Sequence, residues 1–308
     1  MNPRIKLTIA AWLCFSAAVE AQRPELTFRE GDGRVVIEVN GEAIAHYVYR
    51  DDAIPRPYFA HVKTPGGIQV TRHHPPQSGD RSDHATMHPG IWLAFGDLGG
   101  EDFWRNKASV RHVDFLQEPA SERNMGSFIE KKQYTGSDGR IVCDEEFRFA
   151  VLAKPEAILF VVESIFSGTQ PFSFGDQEEM GLGVRVATPV TEVAGGNLTD
   201  AEGRAGAKTI WGNAAAWCDY SGVIDGQRVG VTVMSHPTNF RETWWHARDY
   251  GLITANPFGR AAMKQGAASR IVVQPGETFR LRFAVYVHSG AEDDAIAKAY
   301  GDYAKLGQ

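Results

Sequence analysis

The chain has 308 residues, with 32 lysines and arginines against 38 aspartates and glutamates, and a formal net charge of −6. This mildly acidic balance argues against nucleic acid as a partner. Beyond its first 21 residues the chain has no apolar run of the roughly 20 residues that a membrane-spanning helix needs, so we expect no membrane span.

The amino terminus has the pattern of a secretory signal. Arg4 and Lys6 precede an apolar run over residues 7–19, and small residues lead to Ala21. This arrangement predicts a signal peptide over residues 1–21 that is cleaved after Ala21. The mature protein is therefore expected to be periplasmic or secreted.

The remainder, residues 22–308, has no linker-like stretch and no shift in composition, and is predicted to form a single domain. It retains two cysteines, Cys143 and Cys218, in a compartment that permits disulfides. Pairing and separate burial are both open, and we expect two separately buried thiols.

Strand patterns dominate the chain from residue 35 onward. Apolar residues over 35–39 precede Asn40-Gly41, a dipeptide typical of a tight hairpin turn, and a second strand is predicted over 43–49. Similar turns at Ser137-Asp138-Gly139 and Asp225-Gly226 adjoin further predicted strands, over residues 128–134, 142–150 and 229–234.

The clearest strand follows the turn Pro275-Gly276, where apolar residues alternate without a break from Phe279 to Val287. Its other face, with Arg280 and Arg282, is expected to face water.

One convincing helix follows at the carboxyl terminus. Ser289 and Glu292 have the spacing of a capping box, and Ile296, Tyr300 and Tyr303 recur at helical intervals. We expect this helix to pack on a sheet as a terminal strap. Many closely spaced strands with hardly any strand–helix alternation then predict the fold class: an all-β, large antiparallel β-sandwich with a short C-terminal helix.

Half of the ten histidines fall within one segment that is predicted to be a loop, because Pro75-Pro76 and later glycines oppose a long helix. The polar residues in and beside it are Arg56, His61, Arg72, His73, His74, Asp80, Asp83, His84 and His88. Asp83-His84 with His88 could supply acid, base and orienting groups, or could hold a divalent metal. Histidines that only make hydrogen bonds within the loop are the remaining alternative.

An acidic run, Asp176-Gln177-Glu178-Glu179, precedes a predicted strand. If the run is extended, Glu178 and Glu179 point to opposite faces, so only one of them can enter a given pocket. We select Glu179, with Arg185 as its carboxylate partner or as a substrate contact. Solvated charges at a strand end would look the same in the sequence.

A third group combines aromatic, basic and amide side chains. It comprises His236, Trp244, Trp245, His246, Arg248, Tyr250 and Asn256. Flat rings that cover CH groups, beside polar groups that bind hydroxyls, are what a sugar pocket needs. A tryptophan-rich corner of the core is the alternative.

These groups also match a known family. The matching segments are Arg56-Pro57-Tyr58-Phe59, Thr64-Pro65 with Gly67, Asp83-His84 with His88, Gly90 and Trp92, Gly96-Asp97 with Asp102-Phe103-Trp104, and Trp245-His246 through Asn256-Pro257-Phe258. In this order they resemble the secreted bacterial family labelled PmoA-like. The literal sense of that label, a subunit of methane monooxygenase, would require spanning helices that the sequence lacks. The resemblance implies a supersandwich similar to that of galactose mutarotases and a carbohydrate substrate.

We therefore expect a carbohydrate-active enzyme that cleaves or isomerises a glycoside, including an oxidised 3-keto-glycoside, by acid–base chemistry. The catalytic candidates are His84, His88, Glu179, His236 and His246. The residues expected to bind or orient the substrate are Arg56, Arg72, Trp92, Arg185, Trp245, Arg248, Tyr250 and Asn256. No cofactor is required by the sequence. The alternatives are a metal-dependent glycoside hydrolase, with the metal held by Asp83, His84 and His88, and a non-catalytic carbohydrate-binding protein.

Overall fold

The structure is a computed structural model that describes residues 24–306, so the predicted signal peptide lies outside the described residues. The strands are β1 Leu26–Gly31, β2 Arg34–Val39, β3 Glu42–Val48, β4 Tyr58–Ala60, β5 Ile91–Phe95, β6 Ser109–Glu122, β7 Met125–Thr135, β8 Ile141–Ala153, β9 Ala157–Ser167, β10 Phe172–Phe174, β11 Met180–Arg185, β12 Asn197–Asp200, β13 Trp217–Ile224, β14 Gln227–Ser235, β15 Trp244–Arg248, β16 Leu252–Asn256, β17 Ile271–Val273 and β18 Phe279–His288. The α-helices are α1 Ala207–Ile210 and α2 Asp293–Tyr303, and short 3-10 turns span Thr188–Val190 and Glu192–Ala194.

Most strands belong to two eight-stranded antiparallel sheets. Sheet I has the order β1-β2-β3-β4-β5-β11-β16-β15, and sheet II has the order β12-β13-β14-β18-β9-β8-β7-β6. β10 and β17 form a separate pair. The predicted all-β sandwich with a short C-terminal helix is confirmed. Within residues 24–306, no helix has the length and apolar character needed to cross a bilayer.

The core lies between the inner faces of the two sheets, where aromatic rings from both sheets meet. Phe59 of sheet I packs against Phe149 of sheet II with ring centroids 4.9 Å apart, and Phe95 packs against Phe166 at 5.5 Å. Aromatic pairs at these separations add to the stabilisation gained from buried apolar area. They hold the two inner faces together.

The predicted hairpin turns are confirmed. Asn40 and Gly41 have φ of 53° and 81°, and Asp225 and Gly226 have φ of 50° and 77°. Two consecutive positive φ angles match the twist of the flanking strands, and Asn, Asp and Gly adopt them at the lowest cost.

The expectation of two separately buried thiols is confirmed, because Cys143 and Cys218 are both buried and neither is in a disulfide.

The C-terminal helix α2 packs on the outer face of sheet II through Ile296, Ala299 and Tyr303, which confirms the terminal strap. The predicted capping box is wrong, because α2 begins after Glu292 and no side chain caps its first turn. The outer face of β18 is therefore only partly wet: Arg280 is exposed, but Ala284 is buried under the helix.

Sheet I is covered on its outer face as well. Residues 61–90, which we call the histidine loop, join β4 to β5, and residues 96–108 join β5 to β6. Trp104 of the second segment joins Trp92 of β5 in a second apolar cluster, and His88 of the histidine loop stacks on Trp92. Burial on both faces explains why every residue of β5 is buried and why this strand lacks polar alternation.

Gly183 of β11 allows the two tryptophans to lie on the sheet. A Cβ atom at this position would stand 2.6 Å from Trp92 Cζ2 and 3.0 Å from Trp104 Cη2. We predict that Gly183→Ala lowers the free energy of unfolding by about 1–3 kcal/mol, because both rings must shift. Urea denaturation would measure this. Gly31→Ala is the control, since nothing lies within 4 Å of the position that its added methyl group would take, and equal effects of the two changes would contradict the packing argument.

Candidate functional site

Residues from three distant segments share the outer face of sheet I. Trp92 lies opposite Gly183, Gly183 opposite Thr254, and Thr254 opposite His246. The adjacent row contains Arg185, Leu252 and Arg248. At a strand spacing of about 4.8 Å, the backbones of Trp92 and His246 are about 14 Å apart. The strand register therefore brings the histidine loop, the acidic run and the Trp-His segment to one face.

The guanidinium of Arg72 organises the histidine loop. It donates hydrogen bonds to the carbonyl oxygens of Arg81 at 2.9 Å, Asp83 at 2.7 Å and His88 at 2.9 Å, and a longer one to that of His84. The residue is 1% exposed. Both terminal nitrogens of Arg72 donate to the chain itself and its Nε is enclosed, so the structure does not support the predicted substrate contact: Arg72 holds the loop in place.

Arg56 has the same kind of role. It donates to the carbonyl oxygens of Trp104 at 3.1 Å and of Met87, and to the side chain of Asn106. Its guanidinium lies over the ring of Trp92. Arg56 and Trp92 are both buried, so these two predicted substrate contacts instead support the loops above them.

A chain of charged contacts runs from the sheet to an accessible imidazole. Arg185 binds both carboxylate oxygens of Asp83, with Nη2–Oδ1 at 3.0 Å and Nη1–Oδ2 at 3.2 Å. Asp83 Oδ2 lies 3.0 Å from His84 Nδ1, and the His84 side chain is 40% exposed. When Nδ1–H donates to Asp83, Nε2 of the neutral ring is left as an acceptor.

These contacts control the ionisation of Asp83. Partial burial alone would raise the pKa of its carboxyl group, but hydrogen bonds from Arg185, His84 and Arg81 hold that pKa well below its usual range. Asp83 therefore stays ionised and orients His84.

His88 is enclosed between two rings. Its imidazole stacks on that of His84 at 4.8 Å and on Trp92 at 4.9 Å, and the residue is 1% exposed. Burial, together with the cationic groups of Arg185 and Arg56, holds the pKa of His88 far below its ordinary value. A neutral, enclosed ring supports the loop and cannot exchange protons readily, so the geometry does not favour the predicted catalytic role.

The residues proposed to bind a metal do not fit one. Both carboxylate oxygens of Asp83 are bound to Arg185, and the His84 and His88 rings are stacked with only 24° between their planes. Ring nitrogens donate in the ring plane, so stacked rings do not aim at one ion. Within residues 24–306, no three His, Cys, Asp or Glu side chains are arranged to hold a metal ion.

A second polar group surrounds Glu178. Its Oε2 lies 3.0 Å from Arg248 Nη2 and 3.2 Å from His246 Nδ1, although the latter approach is poorly directed for a hydrogen bond. His246 and Arg248 both lower the pKa of the Glu178 carboxyl group. The backbone below is held by Asn256, whose amide donates to the carbonyl oxygens of Gln177 and Glu178. Asn256 also accepts from two backbone amides, so it positions Glu178 and has no group left for a substrate.

Both glutamates of the acidic run face outward, which corrects the expectation that only one of them could enter a given pocket. Glu178 binds Arg248, whereas Glu179 forms an ion pair with Arg105, a residue that also binds Asp102 at 3.1 Å. The backbone bends at residues 178–179 before β11 begins, so the alternation of an extended strand does not apply. Glu178 and Arg105 are thus site residues that the sequence interpretation missed.

Tyr250 lies between the two groups. Its ring is covered by the guanidinium of Arg185 at 4.5 Å and that of Arg81 at 5.1 Å. Burial raises the pKa of its phenol, and Arg248 and Glu179 are close enough to influence it. The hydroxyl makes no hydrogen bond to any residue of the described range, so it is available to a ligand.

Two predicted site residues lie elsewhere. His236 follows β14 of sheet II, where its ring packs edge-on against Tyr303 of α2 at 5.1 Å. Trp245 points into the core from β15, is fully buried and donates from Nε1 to the carbonyl of Ala215 at 3.1 Å. Neither reaches the outer face of sheet I.

A family model described as a family of unknown function, DUF6807, matches residues 34–301. The chain belongs to this family. A comparison with curated proteins finds no match.

Several solved structures are similar in fold to this DUF6807 protein. A galactose mutarotase related enzyme from Lactobacillus acidophilus is 11% identical with a TM-score of 0.37, over 87% of this chain and 98% of its own. An alpha-galactosidase from Lactobacillus brevis is 9% identical with a TM-score of 0.43, and the match covers 86% of this chain and 40% of the galactosidase. A heparan sulfate lyase from Pedobacter heparinus is 9% identical with a TM-score of 0.39, and the match covers 88% of this chain and 36% of the lyase. This chain thus spans well under half of the last two proteins.

The role of Arg72 can be tested through stability. We predict that Arg72→Met lowers the free energy of unfolding of this DUF6807 protein by about 3 kcal/mol or more, because several carbonyls lose a charged donor. Hydrogen exchange should accelerate over residues 81–88. Arg81→Met, in the same loop with a side chain 54% exposed, should change the free energy by less than about 0.5 kcal/mol. Similar losses in both variants would contradict the proposed role of Arg72.

The Asp83–Arg185 pair should make stability depend on acid pH. The folded-state pKa of Asp83 lies below the unfolded value of about 3.9, so the pair stabilises the fold above that value and the benefit is lost as pH falls through the folded-state pKa. We predict that the stability difference between the native protein and Asp83→Asn shrinks as pH falls below about 4. Urea midpoints at several pH values would measure it, with the exposed Asp52→Asn as control. A difference that is independent of pH would refute this account.

Proposed function

We propose that this DUF6807 protein is an exported carbohydrate-active enzyme that transfers protons on a glycoside at the outer face of sheet I. The observation that carries the proposal is the position of Tyr250. Its ring packs against Arg185 of the Arg185–Asp83–His84 chain, its hydroxyl is unpartnered within the described residues, and it follows Arg248 of the Glu178–Arg248 pair by two residues. The export part of the proposal rests on the signal-like residues 1–21.

The two groups suit complementary roles. His84, oriented through Nδ1 by an ionised Asp83, would accept or donate a proton at Nε2. Tyr250 would donate to, or hydrogen-bond, a sugar oxygen that gains negative charge. Arg248, which is anchored by Glu178, would stabilise that charge electrostatically. Ring opening of a reducing sugar, and epimerisation or elimination next to the carbonyl of a 3-keto-glycoside, all need such a pair of acid and base.

The chemistry of the exposed groups favours a sugar as substrate. His84, Arg248, Glu178 and Arg105 are each more than a third exposed at their side chains. Imidazole, guanidinium and carboxylate groups together offer the donors and acceptors that hydroxyls require. The resemblance to the PmoA-like family supports the same substrate class.

Turnover tests the proposal. Purified mature protein would be screened by mass spectrometry and NMR against glycosides and their 3-keto derivatives. We predict that His84→Gln lowers kcat about 10²-fold to 10⁴-fold and that Tyr250→Phe causes a smaller loss. His236→Gln is the matched control, since that histidine lies on the other sheet, and its kcat should equal that of the unmodified protein.

Two results would contradict this assignment. An equal loss of kcat in His236→Gln and His84→Gln would show that the reaction does not take place at His84. Absence of turnover, with sugar binding intact in every variant, would make the protein a non-catalytic carbohydrate-binding protein.

A further inference from the structure

A cavity of about 390 Å³ lies beyond β15, the last strand of sheet I. Cavities that take small molecules have volumes of about 300–1,000 Å³. Trp211, which follows α1, forms a bridge with Trp245 of β15 and lines this cavity together with Arg248. The cavity therefore begins at a residue of the proposed site.

The lining of the cavity combines one aromatic ring with unpaired charges. Trp211 is half-buried, with Lys264 Nζ 5.6 Å from its ring centroid. Lys208 and Asp249 are exposed, and neither forms an ion pair within the described residues. Glu192, by contrast, is committed to the backbone amide of Ala207. An aromatic ring beside free charged groups can hold a sugar ring by its CH groups and its hydroxyls.

The cavity meets the ring of Trp211 and not its N–H edge. Nε1 is enclosed, as are the indole nitrogens of Trp92 and Trp104. What Trp211 offers a ligand is therefore the exposed part of its ring.

Arg248 connects the cavity to the proposed site. Its Nη2 binds Glu178 and its Nη1 donates to the carbonyl of Ala247, so the guanidinium is fixed between the two spaces. Tyr250 lies in the turn that follows Arg248 at the end of β15, and Arg248 lines the cavity with Trp211, so a ligand that contacts Tyr250 can extend past Arg248 to Trp211.

We propose that this cavity is a second saccharide-binding subsite, with Trp211 as the stacking platform and Lys208 and Asp249 as hydroxyl contacts. The inference rests on the proposed function and narrows its substrate class: the protein takes a disaccharide or a longer glycoside in preference to a monosaccharide.

Binding of matched saccharides tests this subsite. Gluco-, galacto- and mannosides of one, two and three units would be titrated into the mature protein by calorimetry and saturation-transfer NMR. The intact protein should bind the longer members of one series at least about tenfold more tightly than the single unit. Trp211→Leu should remove that gain without altering affinity for the single unit, and Trp211→Phe, which keeps a ring, should retain part of it.

A pair of lysine variants controls for charge. Lys208→Ala should weaken binding of the longer saccharides, whereas Lys298→Ala, at another exposed lysine on α2, should not. Thermal unfolding would establish that each variant is folded. If length brings no gain in affinity, or if Trp211→Leu and Lys208→Ala leave the gain unchanged, the subsite is refuted while the proposed function stands. If the intact protein binds no saccharide in any series and turns over no glycoside or 3-keto-glycoside in the activity screen, both proposals fail.

Discussion

Several carbonyl oxygens of the histidine loop converge on one buried guanidinium, that of Arg72. A segment without strands of its own must satisfy its buried backbone groups through turns, side chains or water. Arg72 satisfies several of them from within the protein and thereby holds the loop against sheet I. The positions of Asp83, His84 and His88 all depend on that interaction, and so does the accessible edge of the His84 imidazole.

The polar residues of this face form two sets: a buried inner set that supports the backbone and an outer set that is accessible to a ligand. Arg56, Arg72 and Asn256 are buried and donate mainly to backbone carbonyls. Residues that stand further out, such as His84 and Arg248, keep part of their surface open to solvent. Because the inner set binds the backbone that carries the outer set, the outer residues are held in place, which is what acid–base chemistry on a bound ligand requires. Burial, more than residue type, decides which arginine can meet a substrate.

Alternating apolar residues and turn dipeptides predicted the antiparallel sandwich and its hairpins, and apolar residues at helical intervals predicted the terminal helix, because those signals are local. The grouping of three motifs on one face depended on the register across β5, β11, β16 and β15, which no local pattern records. Two details of the site could not be predicted from the sequence, for physical reasons. A bend at residues 178–179 turned both glutamates outward, and the arginines of the loops found carbonyl partners that only the folded chain provides. His236 has the right chemistry but lies on the wrong sheet.

The central claim is that the ligand meets the outer face of sheet I, with an extension past its β15 edge, and does not meet sheet II. Backbone amide chemical shifts of deuterated protein, recorded while the glycoside identified by the activity screen is titrated, test this most directly. The account predicts saturable shifts concentrated around His84, Glu178, Arg248 and Tyr250, with His236 and its neighbours on sheet II unchanged. Shifts centred on the groove beside His236 and α2, with no change in the resonances of the histidine loop, would contradict this account.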